Sequence, residues 1–400
     1  MWLIQVQPED AAMFQHPIRK SAFYVSLTVG TTVVALIATT AEAHVKWFAP
    51  YIVGAPLQPV ETVLRDVWFW VAIALVLVCF AAARAIETSR FGPLIFEALD
   101  RFTSPLWARI DDYVRVVIAS FFVAIFATGG VYLTPDLKTP AEWVSWLQLL
   151  IAALIFSRRT MPFAGLGIVA LWLLAARDYD LFHLFDYLAL GLGVAAYLII
   201  EPMKDDWRVH RFEVLRWGLA IALMWSSLEK FAYPEWFYPL VVEKPFLTMG
   251  MPRDVFIPMA GIAEFTMGFG LLWTALIRRL SAMAMIVIFT SAVLPFGRID
   301  LIGHGLITAI LVAVACDQNR ADGLLPGLKQ KLSAIPAGLA VAIVVFMSGY
   351  WGLHLAFYGA GGFSGPVAAE KTTHSHSVEY PHGPQSDIGI GAPPTRGQGE

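Results

Sequence analysis

Two apolar segments of the chain begin with an acidic residue that shortly precedes a histidine: Asp180 precedes His183, and Asp300 precedes His304. An imidazole with an ordinary pKa of about 6.5 exchanges protons near neutral pH, hydrogen-bonds a quinone carbonyl or binds a metal ion. On a helix, Asp300 shares the face of His304 and can orient one of its ring nitrogens. These residues therefore predict proton-transfer or metal chemistry at two places.

The apolar stretches before His304 also contain Glu229, Lys230 and Glu264. Glu264 is predicted near the middle of a membrane helix, where ionisable residues tend to be paired, buried and functional. Lys230 is the nearest cation by depth, so we predict a Glu264–Lys230 ion pair, whereas Glu229 points about 100° around the helix toward another neighbour. The pair either takes part in chemistry or only joins two helices. The predicted catalytic residues are Glu264, Lys230, His304, Asp300 and Glu229.

Candidate metal ligands lie in two other places. His183 is three residues from both Asp180 and Asp186, so the three side chains can share a broad helix face and bind a metal ion. His44 follows the small-x-small sequence Ala41-Glu42-Ala43, which signal peptidases accept. Cleavage there would make His44 the mature N-terminus, whose α-amino group and imidazole suit Cu(II). The alternative is an uncleaved anchor with His44 in an ordinary interfacial belt.

These residues require helices that position them in a membrane. The chain has 400 residues, of which 58% are hydrophobic and 15% charged. Apolar stretches long enough to cross a bilayer recur about eleven times, so we predict an all-α polytopic membrane bundle with about 11 transmembrane helices. The predicted helices lie near 21–41, 66–84, 114–134, 141–156, 162–176, 183–200, 214–232, 255–276, 280–296, 300–316 and 335–358.

The distribution of Lys and Arg predicts the orientation. With the N-terminus inside, the tight basic clusters Arg158-Arg159 and Arg278-Arg279 face the cytoplasm, as the positive-inside rule favours. His44, His183, His304 and the C-terminus then lie on the periplasmic side of a bacterial cytoplasmic membrane. We expect the lipid bilayer and a periplasmic or membrane redox protein as partners, and no nucleic acid.

A run of four hydrophobic segments occurs twice. Arg158-Arg159 precedes His183 by about 25 residues, and Arg278-Arg279 precedes His304 by the same interval, which indicates a duplication. We predict five parts: an N-terminal signal or anchor segment, a second hydrophobic segment and a cytoplasmic amphipathic connector (1–112); a degenerate four-helix unit (113–212); a second four-helix unit (213–334); a last transmembrane helix (335–358); and a disordered periplasmic tail containing histidines (359–400).

The second unit carries Glu229-Lys230, Gly261-Ile-Ala-Glu264 and Gly303-His304. In this combination it resembles the DoxX/DoxD-like family of small four-helix membrane proteins, over residues 213–317 and more weakly over 113–200. The resemblance implies a subunit or enzyme of thiol, thiosulfate or quinone-linked redox chemistry in the cytoplasmic membrane.

The first unit departs from the family pattern, because it has Val131-Tyr132 and Gln148 where the second has Glu229-Lys230 and Glu264. It keeps Asp180, His183 and Asp186. We therefore expect one degenerate unit that supports one active unit.

Several other site classes are excluded by motif. A Gly-rich phosphate loop, Cys-x-x-Cys, Cys-x-x-Cys-His and His-Glu-x-x-His are all missing from the sequence, which excludes the usual sites for nucleotides, covalent haem and zinc proteases. Haem held between His183 and His304 remains open.

The leading hypothesis is a membrane redox component that couples a periplasmic donor or metal to membrane quinone. In it Glu264 and His304 handle protons, and Lys230 keeps Glu264 ionised. One alternative is a periplasm-facing copper-handling or transport protein that uses His44, His183, His304 and the tail. Another is a non-catalytic anchor for a soluble oxidoreductase, with the outer loop 233–254 as its surface.

Overall fold

The computed structural model describes residues 54–320, 331–359 and 361, and the regular secondary structure within these ranges is helical. The predicted helix over 21–41, His44 and the tail beyond 361 lie outside the described residues. The helices are α1 (Val60–Arg65), α2 (Val67–Thr88), α3 (Gly92–Trp107), α4 (Ile110–Thr128), α5 (Glu142–Ile155), α6 (Met161–Asp178), α7 (Leu181–Ile200), α8 (Asp205–Arg208), α9 (Arg211–Ser227), α10 (Glu229–Ala232), α11 (Pro234–Glu243), α12 (Arg253–Gly270), α13 (Ala275–Ala315) and α14 (Ala334–Tyr358), with a 3-10 turn at Pro245–Thr248.

Five stretches of helix in the described part of the chain are long and apolar enough to cross a membrane: α2, α6, α7, the first half of α13 and α14. Helix α5 and the second half of α13 are apolar but shorter. Large apolar side chains such as Trp70, Val78 and Val344 are exposed on these helices. Because hydrocarbon accommodates such surfaces and water does not, the chain is a helical bundle of a multi-pass membrane protein.

Helix α13 is folded back on itself at Gly297, which has φ 71° and ψ −147°. This backbone conformation favours glycine, because a Cβ is strained there. The Nε of Arg279 donates to the carbonyl of Ala315 at 2.8 Å, so the first and last turns of α13 lie side by side. The two predicted segments 280–296 and 300–316 are the arms of this hairpin, named here α13a (Ala275–Val293) and α13b (Asp300–Ala315).

Seven helices form a closed ring. In the order α4, α5, α6, α7, α9, α12 and α13, each helix packs against the next, and α13 packs against α4. Helices α2 and α14 pack on the outside of this ring, against α12 and against each other. The ring therefore has an interior that residues from both predicted units can reach.

The tightest contact in the ring joins α7 to α9. Gly193 and Gly218 face each other there, and a Cβ on either residue would lie within 3 Å of the Cα of the other, at 2.9 and 2.7 Å. Such backbone contact between small residues is a common way to join helices in membranes. Because α7 and α9 belong to different predicted units, these glycines hold the two units together.

One end of the ring is held by buried arginines. Arg278 and Arg279 were expected in a loop, but they lie in the first turns of α13a and are each 1% exposed. The Nη2 of Arg278 lies 3.4 Å from the Oδ2 of Asp317. Asp100 forms ion pairs with both Arg279 and Arg320. Burial raises the pKa of Asp100, but the hydrogen bonds and charges of the two arginines outweigh it and lower that pKa below its ordinary value. The Arg278-Arg279 cluster therefore marks a packed helix end rather than a solvated loop.

Candidate functional site

The interior of the ring contains a cavity with about 1120 Å³ of empty space, including its open mouth. Most of its wall is aliphatic or aromatic, and its ionisable residues are Asp186, Glu229, Lys230, Glu264 and His304. Four of the five predicted catalytic residues thus line one cavity, and the fifth, Asp300, lies behind His304. The structure also adds Asp186, which comes from the other predicted unit.

The predicted Glu264–Lys230 pair is formed. The Nζ of Lys230 lies 2.7 Å from the Oε2 of Glu264, and the two side chains are 6% and 12% exposed. The same ammonium lies 4.9 Å from the centre of the Phe237 ring, a favourable cation–π contact. A charge removed from water needs this kind of compensation, so the pair lets both residues stay in an apolar wall.

Gly261 explains why the pair can form. It lies one turn before Glu264 on α12, on the same helix face. A Cβ at this position would lie 2.6 Å from the ring of Phe231 and 3.1 Å from the Cβ of Lys230. The missing side chain therefore lets α12 approach α10 closely enough for Glu264 to reach Lys230.

Glu229 was predicted to point about 100° around the helix from Lys230, toward another neighbour. The two residues are neighbours within the short helix α10, and Leu228 before them has helical backbone angles, φ −67° and ψ −21°. Adjacent side chains on a helix point in different directions, yet both of these reach the same cavity. Glu229 is 1% exposed and lines the same cavity as Lys230.

His304 is fixed by two neighbours. Its Nδ1 lies 2.9 Å from the Oδ1 of Asp300, which is fully buried one turn earlier on α13b. Its ring stacks on Phe289 of α13a, with ring centres 4.6 Å apart and an interplanar angle of 22°. A carboxylate at one ring nitrogen orients the other toward a ligand. The fold at Gly297 brings these two arms together.

His183 has a carboxylate partner that the sequence did not indicate. Its Nε2 lies 3.4 Å from the Oδ2 of Asp136, and its Nδ1 lies 3.9 Å from the Oδ2 of Asp186. Asp136 is fully buried in the loop 129–141, and it also accepts hydrogen bonds from Tyr187 at 2.5 Å and from Thr134. A Thr-Pro-Asp sequence indicates a turn, but nothing in it indicates a buried carboxylate.

The electrostatics of Asp136 follow from these contacts. Burial raises the pKa of its carboxyl group, but hydrogen bonding and charge from His183 outweigh that effect. The hydroxyls of Thr134 and Tyr187 lower the pKa further. The result is a pKa well below the ordinary value, so Asp136 is a carboxylate at neutral pH.

The predicted metal site is not assembled. Asp180 caps α7, where its Oδ1 accepts from the backbone N–H of His183 at 3.1 Å and from the hydroxyl of Tyr358. That is an ordinary N-cap role. Within the ranges that the structure describes, no group of three or more His, Cys, Asp or Glu side chains is placed to hold a metal ion. A haem between His183 and His304 is not favoured either, since both ring nitrogens of His183 face carboxylates.

Gln148 occupies a comparable position in the first unit. It is fully buried on α5, and its Nε2 donates to the carbonyl oxygens of Val131 at 2.6 Å and Tyr132 at 2.9 Å. In the predicted duplication the corresponding residues are Glu264, Glu229 and Lys230. Gln148 of α5 thus binds the segment that follows α4, and Glu264 of α12 binds Lys230 in the segment that follows α9.

No family model, curated protein or solved structure matches this chain. The cavity wall brings together an ion pair, a carboxylate-bound histidine and two further carboxylates, Glu229 and Asp186, the second of which comes from the other predicted unit.

Proposed function

We propose that the protein is a redox component of the bacterial cytoplasmic membrane that binds a quinone in the central cavity and exchanges protons with it. One observation carries this proposal: an apolar, aromatic wall surrounds the Lys230–Glu264 pair and the His304–Asp300 pair. A quinone is a flat apolar ring with two carbonyl oxygens. It requires an apolar slot with a few polar groups that fix its orientation, which is the usual composition of a ligand pocket.

The two pairs give the bound ring hydrogen-bond donors and a proton source. Because Asp300 holds the Nδ1 of His304, the Nε2 of His304 is the nitrogen for a ligand carbonyl. In its protonated form His304 donates from Nε2 to the ligand carbonyl and can deliver that proton to the ring. Reduction of the ring takes up two protons, and Glu264 relays the second by taking up a proton and passing it on, while the charge of Lys230 favours return of the carboxyl group to its ionised form.

The electrons come from a separate donor. Reduction of a quinone takes two electrons and two protons, and the proposal assigns the protons to this chain and the electrons to a periplasmic or membrane redox protein. The outer segment 233–254 offers that protein a surface, with Val242, Phe246 and Met249 exposed.

Membership of the DoxX/DoxD-like family and the internal duplication are part of the same proposal. The duplication is supported by a parallel between Gln148 and Glu264. Gln148 binds the segment after α4, and Glu264 binds the segment after α9. It is also supported by the acid-bound histidines of both units, His183 with Asp136 and His304 with Asp300.

The proposed membrane placement has about eleven spans, an inner arginine-rich end and a periplasmic C-terminus. The positive-inside rule assigns the end with Arg278 and Arg279 to the cytoplasm. At the opposite end the hydroxyl of Tyr358, the last residue of α14, donates to Asp180 at the start of α7. This contact supports a C-terminus on the side opposite the arginines.

Calorimetric titration with a decyl-tailed benzoquinone tests the proposal on purified protein in lipid nanodiscs. Gly191 lines the cavity, and the nearest atom to a Cβ there is 4.0 Å away, so Gly191→Leu places its side chain in the cavity. The matched control is Gly352→Leu on α14, where nothing lies within 4 Å. We expect saturable binding that Gly191→Leu weakens at least about tenfold and Gly352→Leu leaves unchanged. Equal binding by the wild type and both variants would contradict the proposal.

The copper-handling alternative depends on His44 and the tail, which lie outside the described residues. It predicts stoichiometric copper in protein purified without chelators or a metal-affinity step, and a mature chain that begins at His44. Intact mass and metal analysis of the same sample therefore separate the two functions, because the quinone site needs neither copper nor a new N-terminus.

A further inference from the structure

We infer that Asp186 selects the redox form of the ligand: its carboxylate accepts a hydrogen bond from a ligand hydroxyl, so the cavity binds the quinol more tightly than the quinone. This inference rests on the proposed function, because it concerns the same cavity. It assigns a specificity-determining role to a residue of the first unit, which the sequence indicated only as a candidate metal ligand.

Asp186 is held at the cavity wall from behind. Its side chain is 3% exposed and lines the cavity, while its Oδ2 lies 3.9 Å from the Nδ1 of His183. His183 is in turn placed by Asp136, whose carboxylate Tyr187 and Thr134 also bind. These contacts fix the carboxylate without turning it away from the cavity.

Asp186 and His304 lie on different sides of the cavity. In the ring of helices, α9 and α12 separate α7 from α13 on one side, and α6, α5 and α4 separate them on the other. A ligand ring between them therefore presents one oxygen toward His304 and the other toward Asp186. At His304 the ring meets a hydrogen-bond donor, and at Asp186 it meets an acceptor.

The two redox forms differ at the oxygen that meets Asp186. A quinone oxygen carries only lone pairs, which a carboxylate repels, whereas a quinol oxygen donates its O–H to the carboxylate. The opposite oxygen accepts a hydrogen bond from His304 in both forms. Conversion of quinone to quinol takes two electrons from the donor protein and two protons, and the added hydroxyl provides the bond to Asp186. A site that hydrogen-bonds a hydroxyl discriminates strongly against the analogue without it.

The experiment is anaerobic calorimetric titration of the wild-type protein in nanodiscs with decyl-tailed benzoquinol and with the corresponding benzoquinone. We expect the quinol to bind at least about tenfold more tightly. A tenfold preference corresponds to a midpoint potential for the bound ligand about 30 mV above that of the free ligand. Asp186→Asn should bring the two affinities close together, and Asp186→Glu should restore part of the preference.

Asp180→Asn is the control, because asparagine also caps helices and Asp180 does not line the cavity; this variant should keep the preference. Saturable binding of both forms with equal affinity, or tighter binding of the quinone, would overturn the inference and leave the proposed function standing. If neither form binds, the proposed function fails with it. Should Asp186→Asn not fold, the wild-type comparison of the two forms decides alone.

Discussion

Gly261 and Lys230 are in such close contact that no side chain fits between them. A Cβ on Gly261 would lie 3.1 Å from the Cβ of Lys230 and 2.6 Å from the Phe231 ring. The distance between α12 and α10, and with it the Glu264–Lys230 ion pair, therefore depends on a single missing methyl group. The Gly-x-x-Glu sequence thus has a physical reason within this chain.

Gly261→Ala should separate α12 from α10 and weaken the ion pair. Overpacking of this kind costs about 1–3 kcal/mol, and we expect a lower Tm together with weaker quinone binding. Gly352→Ala is the control, since nothing lies within 4 Å of a Cβ there. Thermal unfolding in detergent and calorimetry measure both effects. Unchanged Tm and binding in Gly261→Ala would mean that the contact does not control the pair.

Removal of one member of the ion pair should affect stability and function differently from removal of both. Lys230→Met leaves Glu264 in an apolar wall, which we expect to cost about 3 kcal/mol of folding free energy. The double variant Lys230→Met, Glu264→Gln should recover most of this stability but neither quinone binding nor turnover. A double variant that is stable and active would show that the pair only joins two helices.

Glu264→Gln alone tests the chemical role of the carboxylate, because glutamine has nearly the same size and still hydrogen-bonds Lys230. We expect folded protein, as judged by its Tm, with turnover abolished when the redox partner is supplied. Unfolding of Glu264→Gln would favour the structural reading, and so would folded protein with full turnover.

We predict that the wild-type protein and a variant without the buried Asp136 carboxylate differ in acid stability. Because its pKa in the folded protein lies below the ordinary value of about 3.9, its ionised form stabilises the fold above that pH. This contribution is lost progressively as the pH falls below about 4 toward the folded pKa. Asp136→Asn should therefore lower the Tm at neutral pH, and the difference from wild type should shrink below about pH 4.

Thermal unfolding across this pH range measures the effect of Asp136→Asn. Asp112→Asn serves as the comparison, because the side chain of Asp112 is 64% exposed. A Tm difference for Asp136→Asn that stays constant down to about pH 3 would contradict the assigned charge state.

The buried arginine end should contribute more to stability than exposed ion pairs. Arg279 is 1% exposed and binds Asp100, Thr103 and the Ala315 carbonyl, so Arg279→Met removes a buried group together with all three contacts and should cost about 3 kcal/mol. Arg101→Ala breaks a pair whose side chains are 79% and 65% exposed, and should cost at most about 1 kcal/mol. Similar unfolding midpoints for the two variants would contradict this assignment.

Much of the helical architecture could be predicted from apolar stretches. The predicted segment 66–84 corresponds to Val67–Thr88, and the segments 280–296 and 300–316 are the arms of the hairpin at Gly297. The ion pair could also be predicted, because charges in hydrocarbon must find partners at equal depth. The length of an apolar stretch, and the depth of a residue within it, depend only on the local sequence and can therefore be predicted from it.

The rest depends on three-dimensional contacts that local patterns do not encode. Asp136 lies in a loop, and only the packing of that loop over His183 makes it a buried partner. Glu229 lines the cavity beside Lys230 although the two point about 100° apart on α10, which helix periodicity alone does not predict. Asp186 joins the cavity because seven helices close into a ring, a property of the whole fold.

Photolabelling with an azido-benzoquinone, followed by peptide mapping, tests the central claim most directly. We expect the label to attach to cavity residues such as Tyr187, Phe289 and His304. Excess decyl-benzoquinone should prevent this labelling, and Gly191→Leu should abolish it. Labelling confined to bilayer-facing residues such as Trp70 and Val78, unaffected by competitor or by Gly191→Leu, would contradict a quinone site in this cavity.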